Sequence, residues 1–306
     1  MTREKRTYSG KLLDVDFYPV FADGRRVPSR APKTKRSTEE QEKYNHAKAV
    51  KEFVRLVNAN FDEQDYFFHP TFFPKDAPQN EAEARRILRN YLQRVKRRRI
   101  TELKKAKKAY AAMPNIPELR EERKKLKKRI KVLKRPFKTA SRVEQVIYQS
   151  GIHKGRINWH YHVFVTGGLD DRTMERLWDK GVRVNCNNFQ PERFGPEAAA
   201  KYMVKSETEF GKKLYTCSRN MKKPKVPDPS KRDGKTLQYQ LERWAKERVD
   251  DAAFWERKYK GYKFVRCFPR KNPFNGRWYL SVIMYRTDKD PPPWAFNDWA
   301  NDEWIL

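Results

Sequence analysis

The alternation of hydrophobic and polar residues predicts several β-strands in the middle of the chain. The stretch 158–166, NWHYHVFVT, combines aromatic and β-branched residues and is followed by two glycines, which is typical of a buried strand. Residues 66–73 and 143–149 show shorter patterns of the same kind. Because only a short loop with Gly151 and Gly155 separates 143–149 from 158–166, we expect these two strands to form an antiparallel pair.

Apolar residues at helical spacing predict helices elsewhere. One helix is expected to begin at Thr38, where Gln41 three residues later completes a pattern like a capping box. Residues 81–98 are amphipathic, and 99–135 predict a charge-dense pair of helices around a proline-containing turn. The pattern also predicts helices at 170–180, from Pro196 to about Ser206 and at 237–252, and strands at 182–189, 214–218, 262–268 and 278–285.

The charge of the chain indicates a polyanionic partner. Its 70 lysines and arginines against 39 acidic residues give a net charge of +31, which costs self-repulsion until a polyanion neutralises it. Nucleic acid is the first expectation, and an anionic membrane surface is the weaker one. No apolar run is long enough to span a membrane, and residues 1–6 do not resemble a signal segment. Three scattered cysteines favour a reducing compartment.

Two histidines two residues apart on the 158–166 strand are the first candidate site. Side chains at alternate positions of a strand point to the same side, so His160 and His162 share one face and Tyr161 faces the other. Two imidazoles on a rigid sheet make up two thirds of a divalent metal site. The alternative is a pair of core or surface histidines that merely share a face.

A tyrosine and a lysine on the predicted helix after Pro196 are the second candidate. Tyr202 and Lys205 are three residues apart and therefore share a helix face. A tyrosine beside a lysine can attack a phosphodiester while the cation holds the transient charge. Because this spacing is common by chance, a tyrosine packed on the sheet is the alternative.

Taken together, these motifs resemble the HUH endonucleases, and more closely the rolling-circle replication initiators of small phages and plasmids. The resemblance rests on His160-Tyr161-His162 and on Tyr202-Met203-Val204-Lys205, and it extends over about 55–225. Supporting segments are Asn60-Phe61 with Asp65, Tyr215 to Asn220, and Lys222-Lys223-Pro224.

The resemblance implies an α+β fold, with a central antiparallel sheet, helices packed on it and the histidines on a central strand. The expected organisation is a basic N-terminal arm at 1–45, within which 1–40 could instead form a strand pair, and an endonuclease domain at 46–225. The basic helical hairpin at 99–135 is an insertion in that domain, and 226–306 form a C-terminal extension of a helix and a β-hairpin.

The chain departs from the family pattern in two places. Where the family usually has Thr-Leu-Thr on its first strand, this chain has His69-Pro70-Thr71. Where the family often has a glutamate before the histidine pair, this chain has Gln149, our expectation for the third metal ligand. Glu144 is the alternative ligand, but it lies on the opposite strand face from Gln149.

The function implied by the resemblance is site-specific nicking of single-stranded DNA at a replication origin. His160, His162 and Gln149 would hold Mg2+ or Mn2+, and Tyr202 would become linked to the 5′ phosphate with help from Lys205. Tyr161 is an improbable nucleophile because it points away from the histidines, and Tyr215 is a weaker candidate. Since the sequence has no Walker-type loop, the protein would depend on a host helicase and polymerase in the bacterial cytoplasm, without a membrane partner.

The same residues are also compatible with other functions. A relaxase would usually carry three histidines and an N-terminal tyrosine, and although Tyr8 is near the N-terminus, we expect no third histidine to join the pair. Single-domain transposases of this class are typically much shorter. A basic protein that binds DNA or RNA without cutting it would explain the charge, but it would leave both motifs as coincidences.

Overall fold

The computed structural model describes residues 2–19, 38–147, 155, 157–181, 184–188, 195–205, 213–227, 238–272 and 276–286. These residues form an α+β fold with two antiparallel sheets, as the sequence predicted for the fold class. The helices are α1 Glu39–Asn58, α2 Glu81–Ala112, α3 Arg120–Leu133, α4 Asp171–Leu177, α5 Gly195–Met203, α6 Gln238–Glu247 and α7 Ala252–Lys258. The strands are β1 Thr2–Ser9, β2 Leu12–Pro19, β3 Tyr66–Pro70, β4 Thr139–Ile147, β5 Ile157–Val165, β6 Val184–Asn188, β7 Thr216–Cys217, β8 Lys263–Lys271 and β9 Trp278–Tyr285.

Local signals account for where several helices begin. The Thr38 side chain accepts a hydrogen bond from the backbone of Gln41, as the capping pattern predicted. The carboxylate of Asp170 caps α4 in the same way by accepting from the backbone of Thr173. Within the part of the chain that the structure describes, no helix is both long and apolar enough to cross a membrane.

The chain divides into two compact units, each with one sheet. The first unit comprises Met1–Asn60, Pro191–Arg193 and Lys222–Leu306, and its sheet has the order β1-β2-β9-β8. Both ends of the chain therefore supply strands to the same sheet, and residues 2–19 form the strand pair that the sequence allowed as an alternative to an arm. One sheet face packs against α6 and α7 through a cluster that includes Leu13, Phe17, Leu241 and Trp255.

An ionic cluster joins α1 to strand β2 within this unit. Arg55 contacts Asp14 at 2.7 Å and Asp16 at 3.0 Å, and the side chains of Arg55 and Asp14 are each only 4% exposed. Lys51 contacts Asp16 at 2.9 Å. Although burial opposes ionisation of Asp16, the two cations lower its pKa to about 2. The buried charges are therefore satisfied only while both elements are docked.

The second unit comprises Phe61–Gln190 and Phe194–Met221 and contains a five-stranded sheet in the order β6-β3-β5-β4-β7. Strands β4 and β5 pair antiparallel, as predicted, with Glu144 opposite His160. The first half of α2 covers one face of this sheet and packs on aromatic and β-branched side chains. The buried cluster between them includes Phe68, Leu88, Tyr91, Tyr161 and Val163.

Helix α2 is longer than the amphipathic pattern of 81–98 predicted. It continues without a break to Ala112 because no glycine or proline occurs before Pro114. The predicted helical pair over 99–135 therefore consists of the distal half of α2 and the separate helix α3. Beyond Arg99, the buried residues of these two helical segments are Ala106 and Leu133, so most of the hairpin surface is exposed.

Asp65 ties the base of the hairpin to the end of β5. Its carboxylate accepts from the backbone of Gly167 at 2.8 Å and from Arg135 at 2.7 Å. A Cβ at Gly167 would lie 1.8 Å from the carbonyl oxygen of Gln64, so only glycine allows this close approach. The hairpin is thus fixed to the sheet by a buried polar contact as well as by the continuous helix.

The ionic cluster generates a stability prediction. Substitution Arg55→Met should lower the free energy of unfolding by about 3–5 kcal/mol, because it leaves the buried Asp14 carboxylate unpaired. Lys43→Met on the same helix is the matched control. Its partner Glu39 is exposed, so we expect no measurable change. Urea unfolding followed by tryptophan fluorescence measures both, and equal losses in the two variants would contradict the role of Arg55.

Candidate metal centre and nucleophile

Strand β3 brings a third histidine to the face that carries His160 and His162. Strands β3 and β5 pair antiparallel with Phe67 opposite Phe164 and Phe68 opposite Val163. The next position of β3 in the same register is His69, which places its ring beside His162. Because His69 is two residues after Phe67, both side chains lie on the histidine face.

The three imidazoles form a compact cluster. The ring centroids of His160 and His162 are 4.7 Å apart, those of His69 and His162 are also 4.7 Å apart, and those of His69 and His160 are 5.6 Å apart. One ring nitrogen from each residue lies within 4.8 Å of those from the other two. Among the described residues, this is the group of histidine, cysteine and acidic side chains whose spacing suits a metal ion.

The expectation that no third histidine joins the pair is therefore wrong. His69 is a candidate ligand beside His160 and His162, and the predicted ligand Gln149 lies outside the described residues. The alternative ligand Glu144 does lie on the histidine side, where its Oε2 atom is 3.4 Å from Nε2 of His162. It is not part of the three-residue cluster.

Glu144 is placed to orient His162 rather than to complete the cluster. Its second carboxylate oxygen accepts from Nε of Arg142 at 2.6 Å, so Arg142 and His162 both hold the carboxylate. With Nε2 of His162 directed to Glu144, the nitrogen left for an ion is Nδ1. A carboxylate behind a metal-binding histidine is the usual arrangement for fixing the orientation of the ring.

The protonation of the cluster suits metal binding. Burial, together with the neighbouring His162 and His160, lowers the pKa of His69 to about 3. Burial and His162 lower the pKa of His160 to about 4, against the opposing effect of Glu144. Both imidazoles are therefore neutral near pH 7, which is the form that binds a metal.

An unsatisfied buried atom also indicates that the cluster fits a cation. The residue His162 is only 3% exposed, and its Nδ1 atom is buried without a hydrogen-bond partner among the described residues. A buried polar atom left unpaired costs about 1–3 kcal/mol. Binding of a divalent ion between the three rings would remove this cost, and three imidazoles are a donor set that suits borderline first-row metals.

Helix α5 presents Tyr202 to the same cluster. The helix buries Ala199, Ala200 and Met203, while Tyr202 remains 58% exposed. The Tyr202 ring centroid lies 5.2 Å from that of His162 and 5.9 Å from that of His69. The phenol is thus on the histidine side of the sheet, next to the cluster and accessible to a substrate.

The other sequence candidates occupy different positions. Lys205 is exposed just beyond the end of α5, and among the described residues its ammonium group has no ion pair. Tyr161 lies on the opposite sheet face, where its hydroxyl donates to the carbonyl of Ala84 and burial raises the pKa of the phenol. Tyr215 immediately precedes the edge strand β7.

The sequence places His69 on a predicted strand, but only the pairing of that strand shows which residues His69 faces. The aromatic strand 66–70 carries His69 on the same side as Phe67, which alternation alone predicts. Only the register between β3 and β5 shows that this side coincides with the face of His160 and His162. In the sequence, His69-Pro70-Thr71 stands where the family usually has Thr-Leu-Thr, and this local comparison does not identify His69 as a ligand.

Comparisons with protein-family models, curated proteins and solved structures found no match for this chain.

The cluster generates a metal-binding prediction. Substitution His69→Asn should weaken Mn2+ binding by at least about 100-fold, because it removes one of three ligand nitrogens. Loss of a residue that only orients a ligand already costs up to about 100-fold in metal affinity, and loss of a ligand should cost at least as much. Isothermal titration calorimetry at pH 7 measures the affinity. His46→Asn, a histidine outside the cluster on α1, is the control and should bind Mn2+ like the unmodified protein. Unchanged affinity in His69→Asn would remove His69 from the site.

Proposed function

We propose that the protein is an HUH-type endonuclease that nicks single-stranded DNA at a replication origin and so initiates rolling-circle replication. The observation that carries the proposal is the proximity of Tyr202 to the histidine cluster, with its ring 5.2 Å from that of His162. A tyrosine beside three imidazoles combines a nucleophile with a candidate metal site, which is what transfer of a phosphodiester to a side chain requires.

The proposed chemistry begins at the phenol of Tyr202. Its oxygen attacks the phosphorus of a DNA phosphodiester, an O–P bond to tyrosine forms, and the bond from phosphorus to the 3′ oxygen breaks. The phenolic proton leaves to solvent, and the 3′ oxygen takes up a proton to become a free hydroxyl that can prime synthesis. A divalent ion held by His69, His160 and His162 would polarise the phosphoryl group and neutralise charge on its non-bridging oxygens.

Lys205 and Glu144 have supporting roles in this proposal. Lys205, three residues after Tyr202, offers an exposed cation that would hold the phosphate or offset its charge as the bond to tyrosine forms. Glu144 keeps the His162 ring in its metal-binding orientation. Because the phosphotyrosine bond keeps the energy of the original ester, attack by a 3′ hydroxyl on it would release Tyr202 and rejoin the strand.

In the part of the chain that the structure describes, Tyr202 is the tyrosine whose ring contacts the cluster. Termination of replication would therefore use Tyr202 again or the tyrosine of a second subunit. The protein would act on single-stranded DNA together with a host helicase and polymerase in the cytoplasm of a bacterial host, since the sequence carries no Walker-type loop.

A relaxase is the second candidate, and the third histidine is the observation that favours it. Relaxases usually carry three histidines, and His69 supplies the third here. Their nucleophile is usually near the N-terminus, where this chain has Tyr8 on strand β1 of the first unit. Mass spectrometry of the DNA-linked peptide separates the two functions. This peptide contains Tyr202 in an initiator of the proposed kind and Tyr8 in a relaxase.

The proposal predicts the effect of removing the nucleophile. Tyr202→Phe should abolish the covalent adduct with a labelled single strand that the unmodified protein cleaves, because the hydroxyl that attacks phosphorus is gone. Binding of the same strand should be retained, since the ring and the charge of the protein are unchanged. Denaturing gel electrophoresis detects the adduct, and fluorescence anisotropy measures the binding.

Tyr215→Phe is the matched control for this experiment, and it should form the adduct like the unmodified protein. An adduct in Tyr202→Phe would show that another residue is the nucleophile. If the unmodified protein forms no adduct with DNA and single-stranded RNA competes fully for binding, the remaining function is that of a non-catalytic nucleic-acid-binding protein.

The histidine cluster also predicts which metal supports nicking. Three nitrogen ligands suit Mn2+ better than Mg2+, which prefers oxygen ligands and retains its waters. We expect faster adduct formation in Mn2+ than in Mg2+ at equal concentration, and none in EDTA. The rate of adduct formation in metal-stripped protein measures this order, and nicking that persists in EDTA would exclude a role for the metal.

A further inference from the structure

The helical hairpin carries positive charge that the proposed nicking chemistry does not use. We call residues 97–134, the distal half of α2 together with α3, the arm. Many of its lysines are exposed and form no ion pair with any carboxylate in the described part of the chain. These lysines are Lys104, Lys107, Lys108, Lys125, Lys127, Lys128, Lys131 and Lys134.

The acidic side chain in the middle of the arm neutralises one edge of it. Glu102 on α2 contacts Arg129 on α3 at 2.9 Å and Arg98 at 3.2 Å. Lys105, three residues after Glu102, lies within 3.8 Å of the same carboxylate. Lys125 is four residues before Arg129 and shares its side of α3. This edge, which we call the glutamate edge, is therefore partly balanced in charge.

On the opposite edge of the arm, the lysines form no ion pair with any carboxylate of the described residues. Two residues turn a helix by about 200°, so Lys107 lies across α2 from Lys105, and Lys127 lies across α3 from Lys125. Lys104 shares the side of Lys107 on α2, and on α3 the positions four and seven residues after Lys127 share its side. We call the lysines on this side the lysine edge: Lys104, Lys107, Lys127, Lys131 and Lys134.

The arm is held rigidly to the sheet that carries the histidines. Inside its base, the guanidinium of Arg99 donates to the carbonyls of Val132 and Arg135 and lies over the ring of Phe137. Near its tip, Arg123 of α3 lies 4.4 Å from the ring centroid of Tyr110 on α2. Whatever the lysine edge binds is therefore kept at a fixed distance from the candidate metal centre.

The direction of α2 sets this distance. The helix runs alongside β5, because Ala84 accepts from the hydroxyl of Tyr161 and Arg99 lies near Gly168, beyond the end of the strand. The path from His162 to Gly168 along the strand and from Arg99 to Lys107 along the helix is roughly 30 Å, which is an upper limit on the distance between His162 and Lys107. That length corresponds to about nine base pairs of B-DNA.

We propose that the lysine edge binds the phosphate backbone of double-helical DNA that flanks the single-stranded cleavage site, within about nine base pairs of the nick. The inference rests on the proposed function for the location of the nick, but the binding itself needs no catalysis. The arm would serve to hold the substrate in register while Tyr202 acts on the unpaired strand.

The chemistry of the edge fits a duplex better than a single strand. Proteins bind single strands largely by stacking bases on aromatic rings, and the aromatic residue of the arm, Tyr110, is occupied by Arg123. Lysines act as point charges that contact phosphate without reading sequence.

Two double variants test the proposal with the same change of charge on the same two helices. K107Q/K127Q removes cations from the lysine edge, and K105Q/K125Q removes two from the glutamate edge. Binding is measured by fluorescence anisotropy over a range of salt concentrations in EDTA, where no cleavage occurs. The probes are a short DNA hairpin with a single-stranded tail and the tail alone, and circular dichroism checks that helix content is retained.

We expect the unmodified protein to bind the hairpin probe more tightly than the tail. K107Q/K127Q should reduce the slope of log affinity against log salt by about two for the hairpin probe, since each lost phosphate contact removes about one. The same variant should bind the tail unchanged, and K105Q/K125Q should keep the slope of the unmodified protein for both probes.

Other outcomes overturn the proposal. Equal losses in the two variants would mean that the arm contributes only general charge, and equal losses on both probes would mean that it contacts the single strand. Tighter binding of an RNA hairpin or of anionic lipid vesicles, with the same dependence on Lys107 and Lys127, would assign the edge to those partners. None of these results bears on the adduct at Tyr202, so failure of the nicking function is recognised separately.

Discussion

The alternation of side chains across the paired strands β3 and β5 is the constraint on which the candidate centre depends. In the observed register, Phe68, Tyr161 and Val163 all point to the face covered by α2, and the intervening residues His69, His160 and His162 point to the other. A slip of one residue in this pairing would reverse every side chain of the slipped strand. The apolar packing under α2 therefore holds the three imidazoles together, although it contacts none of them.

The histidine face is partly buried, and this decides the chemistry available to it. Phe67 packs on Phe164 and lies parallel to the ring of His162, so aromatic side chains line one side of the histidine cluster. Removal from water disfavours the charged imidazole, as the lowered pKa values of His69 and His160 show. His69 and His160 are therefore neutral near pH 7 and offer lone pairs to a cation.

The positive charge of the chain is distributed unevenly. Some cations are paired within the fold, and others are exposed and free to bind an anion. Arg55, Arg99 and Arg135 are partly or fully buried against carboxylates, carbonyls or rings, where they hold elements together. The lysines of the arm's lysine edge have no such partners in the described part of the chain. A cation that is paired within the fold cannot bind a ligand strongly. The net charge of the chain alone therefore does not show which surfaces can bind an anion.

The sequence by itself determined the features that depend on local periodicity and capping. The histidine pair on one strand face, the Tyr202 helix, the caps at Thr38 and Asp170 and the basic helical pair all follow from residues within a few positions of one another. Even here, α2 extends beyond the amphipathic pattern that ends at residue 98. The helix continues because no helix-breaking residue follows before Pro114, although the apolar stripe becomes thin.

Only the tertiary structure decided which distant segments become neighbours. His69 joins His160 and His162 because β3 pairs with β5 in one register, and Glu144 reaches His162 because β4 pairs on the other side of the same strand. The strands at the two ends of the chain likewise meet in one sheet. Strand pairing depends on packing and hydrogen bonds between residues far apart in the chain, and no local pattern specifies that choice.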